Sequence, residues 1–355
     1  MKMVFRWFPF GEDSVTLAQI RQIPGMTGVV SCIPQIPVGE VCDEDIIRKL
    51  NSEIAAYGLE NEDIESVNIH EDIKKGLPTR DRYIENYIKT IRNLGKNGVR
   101  CLCYNFMPVM DWARSELARP QKDGSFAMSY RHEKALEMNP AILAEKMLSD
   151  GFYMPGWEPD RIAAMAADIE FYHNMTQDAY WKNMKYFLDA VIPEAEASDV
   201  KMAIHPDDPP WELYGLPKVI TNAENIRKFL SLNESPYNGL TFCTGSLGSN
   251  VHNDLPAMIR EFAPRIHFAH VRNVFHFAEQ DFDESAHLSA CGDQDMYEIM
   301  LALIESGFEG YIRPDHGRMI WGEQARAGYG LYDRALGSQY LLGLEEAIKK
   351  SRGIK

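Results

Sequence analysis

The sequence predicts an α/β fold, a (β/α)8 TIM barrel with a long helical insertion after the fourth strand. Three observations predict it. Short β-rich runs alternate with amphipathic helical segments, the runs number eight, and four successive runs in the second half end in metal-ligating side chains. At 355 residues the chain could hold two ordinary domains, but one barrel with one insertion uses the same length, so residues 1–355 are read as a single domain.

The runs fall at residues 3–8, 28–34, 65–69, 99–106, 200–205, 239–245, 266–272 and 309–314, several of them nearly continuous in apolar residues, as strands buried on both faces must be. Between them, Ile46, Ile47, Leu50 and Ile54 form one stripe of a helix over 43–57, with acidic residues at its start and Gly58 after it. Tyr83, Ile84, Tyr87, Ile88, Ile91 and Leu94 do the same over 80–94. Later helices are expected over 223–232, 254–262, 295–306 and 331–350. Cys101 and Cys103 alternate on one face of a strand and read as core filling.

One connection breaks the rhythm. The stretch 107–175 carries Pro/Gly punctuation, several aromatics and helical patches near 140–148 and 161–174, and a helix over 176–192 rejoins the barrel. Its two readings are a lid over the barrel mouth and a packing or homodimer element.

Composition narrows the function. Apolar residues make up 45% and charged residues 25%, as in a globular protein with a sizeable core. The formal charge of −15 and the lack of any Lys/Arg-rich tract argue against nucleic acid. An anionic substrate then needs local positive charge, such as a bound divalent cation. The N-terminus lacks the features of a signal peptide and no stretch approaches a membrane span, so a cytoplasmic protein without membrane partners is expected. Six scattered cysteines without a CxxC pair suit reduced thiols, not a disulfide scaffold.

Barrel enzymes collect their working residues at the C-terminal strand ends. There the fifth to eighth strands place His205, Cys243, His270 and Asp315: imidazole, thiolate, imidazole and carboxylate. Neighbouring strands lie about 5 Å apart, so these side chains can converge on one ion. Alone, each would be an ordinary structural residue; four in register point to a metal. His316 directly follows Asp315 and suits acid/base work, and Tyr329 lies between Gly328 and Gly330, where the backbone bends close to something. Arg272 and Asn273, just past the seventh strand, are candidates for holding an anionic or hydroxylated end of a substrate. His267 faces the helices and reads as structural, whereas His70 and His173 could reach the pocket.

These residues resemble a known family. Met3–Phe8, Tyr104–Trp112, Ala203–Pro210, Phe242–Ser246, Arg313–Gly317 and Gly328–Gly330 together are similar to the mannonate dehydratases of hexuronate (glucuronate) breakdown, and the similarity runs through essentially the whole chain. The resemblance implies a barrel like that of xylose isomerase, a divalent ion, usually manganese (Mn2+), and dehydration of a small sugar acid, D-mannonate, to 2-keto-3-deoxy-D-gluconate. Thiolate and imidazole ordinarily favour zinc or iron, so the site stays open to Fe2+, Co2+ or Mg2+. For that substrate, proton loss beside a carboxylate builds charge that a chelated cation neutralises, and departure of the C3 hydroxyl needs a proton donor. His316 and Tyr329 are the candidate pair, their two roles left unassigned. The rival enzyme is a sugar isomerase or epimerase on the same barrel, whose sites lean on Glu/Asp ligands. A non-catalytic sugar-acid or metal sensor would bind without forming product.

Overall fold

Nearly continuous apolar strands need cover on both faces, and the chain supplies it by closing them into a ring. The computed structural model describes residues 1–137 and 159–354, except for the side chains of 159–164 and 166. Eight strands form the ring: β1 (Lys2–Arg6), β2 (Gly28–Ser31), β3 (Glu60–Glu65), β4 (Cys101–Tyr104), β7 (Lys201–Ile204), β8 (Asn238–Cys243), β9 (Ile266–His270) and β12 (Tyr311–Arg313). All pair in parallel, each with its neighbours in chain order, and β12 closes on β1.

Because side chains alternate, one residue in two points into the ring. Val4, Val30, Cys101, Cys103, Ala203 and Phe268 pack together there, the core role expected of the two cysteines. Phe5, Leu102, Met202, Leu240, Phe242 and Ile312 belong instead to the main core, shared with the helices. The helices Glu44–Ala55, Arg80–Lys96, Ala223–Leu232, Leu255–Phe262, Met296–Glu305 and Tyr332–Arg352 lie where the amphipathic stripes put them. Asp254 and Asp295 cap their helices by accepting backbone N–H groups, each cap worth about 1 kcal/mol. No described helix is long and apolar enough to cross a membrane.

Three features depart from expectation. The third strand is Glu60–Glu65, not 65–69: its sequence, ENEDIE, places the carboxylates of Asp63 and Glu65 among the interior residues, so it lacks the apolar run that marks its neighbours. Two short helices, Leu17–Arg21 and Glu71–Lys75, were not foreseen, although Thr16 and Gln19 form a capping box. The insertion carries helices, Pro159–His173 and then Gln177–Ala197, but it opens with two strands, β5 (Glu116–Pro120) and β6 (Phe126–Tyr130). With β10 (Asn273–Ala278) and β11 (Asp281–Ser285) these make an antiparallel sheet in the order β10-β11-β6-β5. The patch near 140–148, part of the insertion read as a lid or a packing element, lies outside the described residues.

Candidate active site

Parallel strands in register bring their C-terminal ends to one level. Cys243 pairs with His270, and His270 with Arg313, so residues distant in sequence become lateral neighbours. Ligand atoms of His205, Cys243 and His270 all lie within 4.8 Å of one another. Asp315, two residues past Arg313, closes the group: its Oδ2 is 3.4 Å from Cys243 Sγ and its Oδ1 is 3.6 Å from His270 Nδ1. The structure thus brings all four expected ligands together.

Their chemistry fits a cation. His205 Nδ1 lies 2.8 Å from the Pro206 carbonyl oxygen; that oxygen can only accept, so Nδ1 carries a hydrogen and Nε2 is left for the cluster. Burial and Asp315 raise the Cys243 thiol, but the Arg272 guanidinium and the contacts with His205 and His270 prevail and bring it down to about 5, a thiolate at neutral pH. Burial likewise opposes charge on His205, and its contact with Cys243 overrides this, raising it to about 9. Asp315 is held well below the usual carboxylate range, against burial, by His316, Arg313, His270 and Arg272. Its Oδ1 is buried and makes no hydrogen bond, only ion-pair contacts, the shortest with Arg313. Buried polar atoms rarely go unpaired, and a group of N, S and O donors with spare capacity is what a divalent ion requires.

Two of the expected ligands, His205 and Asp315, line an open pocket of about 560 Å³ together with Asp208, Arg272, Arg313, His316, Tyr329 and, from the start of the insertion, Met107, Asp111 and Trp112. A hollow of about 770 Å³ adjoins it at Arg6 and Ser66, but its walls are largely apolar, with Ile33, Ile36 and Val38, and none of the four ligands lines it.

His316 and Tyr329 face each other in the pocket, His316 Nε2 lying 3.2 Å from the Tyr329 hydroxyl. His316 Nδ1 is 3.0 Å from both carboxylate oxygens of Glu284, which fixes the hydrogen on Nδ1. Burial pushes the Tyr329 hydroxyl up to about 12 in spite of nearby Arg313, so it stays protonated. Gly328 has φ +79°, and a Cβ there would stand 2.5 Å from Met128 and 3.2 Å from His316. The backbone does bend close to something: to Met128 first and then to the catalytic candidate His316.

Arg272 is buried at the cluster's edge. Its Nε donates to Asp315 (2.7 Å), Nη1 to Glu284 (3.0 Å) and Nη2 to Asp208 (2.8 Å). It lies flat over Gly245, where a Cβ would meet its Cζ at 2.3 Å. Arg272 lines the pocket, but its donors already serve three carboxylates, which makes it an organiser of the site. Asn273 is a correction: its amide donates to the carbonyls of Leu288 and Gln294 and accepts from the amides of Val274 and Gln294, so it ties loops together away from the pocket. His70 caps the helix Glu71–Lys75 and stacks on Tyr83, and His173 bonds the Tyr214 carbonyl; neither reaches the ligands.

Sequence reasoning missed the carboxylates and arginines around the cluster. Asp208 and Glu284 bridge Arg272 and Arg114, and Glu65 meets Arg313 at 3.0 Å. Asp208 follows His205 closely, a signal within reach. Glu284 lies on a strand with no recognisable pattern.

The chain is similar to known proteins over its whole length. A family described as D-mannonate dehydratase (UxuA) matches residues 1–355. The mannonate dehydratase of Thermotoga neapolitana is 56% identical, covering 99% of both chains, and mannonate dehydratase 1 of Halalkalibacterium halodurans is 51% identical, covering 99% of this chain and 98% of its own. The crystal structure of mannonate dehydratase from Streptococcus suis serotype 2 superposes with a TM-score of 0.90 at 43% identity, covering 99% of this chain and 96% of that one. An L-ribulose 3-epimerase, at 13% identity and a TM-score of 0.54, shares the barrel alone. By a match that spans every residue and relatives identical at half their positions, the chain belongs to the D-mannonate dehydratase family.

Proposed function

We propose that this chain is a hydro-lyase that converts D-mannonate to 2-keto-3-deoxy-D-gluconate and water, with one divalent ion, Mn2+ in the first instance, held by His205, Cys243, His270 and Asp315. The observation that carries the reading is the pairing of His316 with Tyr329 in the pocket lined by two of those four ligands, in a chain of this family. A divalent ion there supplies charge neutralisation at the substrate carboxylate as the neighbouring proton is lost.

The side chains divide the rest of the work. With its Nδ1 hydrogen committed to Glu284, His316 offers the Nε2 lone pair as the base for the proton at C2. Tyr329, kept protonated by burial, gives its hydrogen to the hydroxyl leaving C3. The C2–H and C3–O bonds break, a C2–C3 double bond forms, and the resulting enol becomes the 2-keto product. His316 then returns its proton to Tyr329 across their 3.2 Å contact, which restores the starting state. Arg272 keeps Asp315, Asp208 and Glu284 in place throughout.

The test is to load the protein with Mn2+, add D-mannonate and assay for a 2-keto-3-deoxy acid. Product formation is expected. Turnover of an aldose or ketose with none of D-mannonate would instead assign the chain to the isomerases and epimerases that share the barrel.

A further inference from the structure

We propose that Glu65, at the end of β3, is a positioning residue for the metal centre: its carboxylate takes the Nε2 hydrogen of His270 and so turns the Nδ1 lone pair toward the ligand cluster. The inference rests on the metal reading above and adds to it a residue from the opposite half of the barrel.

The tautomer follows from the neighbours. Arg313 Nη2 lies 3.4 Å from His270 Nδ1, and a guanidinium can only donate, which favours a bare Nδ1. In a neutral imidazole the hydrogen is then on Nε2. That atom faces Glu65 Oε2 at 3.4 Å, an ion-pair distance, and both are buried atoms with no hydrogen-bond partner among the described residues. Asp315 Oδ1 lies on the Nδ1 side, at 3.6 Å. The ring therefore has one edge toward a carboxylate that accepts and the other toward the cluster. A ligating histidine whose second nitrogen donates to a carboxylate has a fixed tautomer, a fixed ring plane and a more basic ligand atom.

Glu65 is equipped for this. Its other oxygen takes a hydrogen bond from Arg313 at 3.0 Å, and the same Nη2 reaches Asp315 Oδ1 at 2.7 Å. One guanidinium thus ties together the carboxylate behind His270 and the carboxylate of a second ligand. Glu65, Cys103 and His270 also lie close enough together to hold an ion themselves. The guanidinium against Glu65 opposes that use, since a second cation would meet a positive charge already paired with the same carboxylate.

Mn2+ titration of the whole chain, read by the electron paramagnetic resonance of free Mn2+, separates these roles. Wild type is expected to bind one ion per chain, and Glu65→Ala to bind one ion about 10–100-fold more weakly. Glu65→Gln, whose amide oxygen can accept the same hydrogen, should recover most of the affinity. Equal affinity in wild type and Glu65→Ala would overturn the proposal while leaving the four-ligand site intact. Two ions in wild type and one in Glu65→Ala would make Glu65 a ligand and overturn it differently. Failure of wild type to bind Mn2+ would remove the metal reading and this role with it. Should Glu65→Ala fail to fold, nitrogen NMR of histidine-labelled, Zn2+-loaded wild type decides, with His270 assigned through His270→Gln. The expected signature is a hydrogen-bearing Nε2 and a ligated Nδ1; the reverse pattern sinks the proposal.

Discussion

The two halves of the barrel contribute to one interior layer in different currencies of charge. The first half brings Arg6, Glu65 and Cys103 to the mouth; the second brings His205, Cys243, His270 and Arg313, with Asp315 just beyond. Cys103 and Cys243 make the contrast sharp. Both are buried, inward-facing thiols at strand ends. Burial, with the negative charges of Glu65 and Asp63, pushes Cys103 well above the ordinary thiol range, whereas Arg272, His205 and His270 bring Cys243 down to about 5. Depth and fold position are the same, and the neighbours decide which sulfur can ligate.

Breaking the second half should have the largest effect. Cys243→Ala combined with His270→Ala is expected to abolish metal binding and turnover, whereas Cys103→Ala should keep one ion per chain and cost roughly 1 kcal/mol of stability from lost packing. Metal analysis and thermal melts on both proteins check this; retained metal in the double variant would break the comparison. Next come His316→Asn and Tyr329→Phe, each expected to lower turnover about 10²–10⁴-fold with metal content and melting temperature preserved. Glu284→Gln should cost less, about 10–100-fold, because it loosens the orientation of His316 without removing the base. A loss of metal equal to the loss of rate would instead place Glu284 in support of Asp315 through Arg272. The smallest effect concerns His267, on the outer face of β9. Burial, then Lys201 and Arg265, lower it to about 3 from 6.5. The unfolded chain takes up that proton first, so stability should fall as pH drops from about 6.5 toward 3, and His267→Gln should flatten the slope.

The half that carries the proposed ligands was legible because its strands are apolar up to the residue that matters. Leu240, Phe242 and Ile312 mark the strands, and Cys243 and Asp315 stand out at their ends. The first half hides its contribution for the opposite reason: β3 is acidic, so the apolar signal at Val67 and Ile69 drew the assignment downstream to 65–69, which makes Glu65 the start of the strand and not its C-terminal end. The sheet of β5, β6, β10 and β11 was illegible for another cause. Its strands come from two segments some 150 residues apart, and the pairing of Phe282 with Tyr130 leaves no local trace. Asn273 misled by position: it adjoins Arg272 at a strand end, yet period-two alternation turns neighbouring side chains to opposite sides.

That sheet has a thermodynamic consequence. Arg114, just ahead of β5, grips Asp208 through both Nη1 and Nη2, at 2.7 and 2.9 Å, and it also grips Glu284 on β11. The sheet cannot detach without parting Asp208 from Arg114 and Glu284 from Arg272, one of the two arginines that each buried carboxylate holds. Linkage then works in both directions. An ion that prefers the assembled cluster must raise the free energy of opening the sheet by the same amount that opening would weaken the ion's hold. Amides of β6 and β11, which carry none of the proposed ligands, should exchange with solvent more slowly once the metal is bound, and that slowing measures how much of the accessory sheet's order is maintained from the barrel mouth.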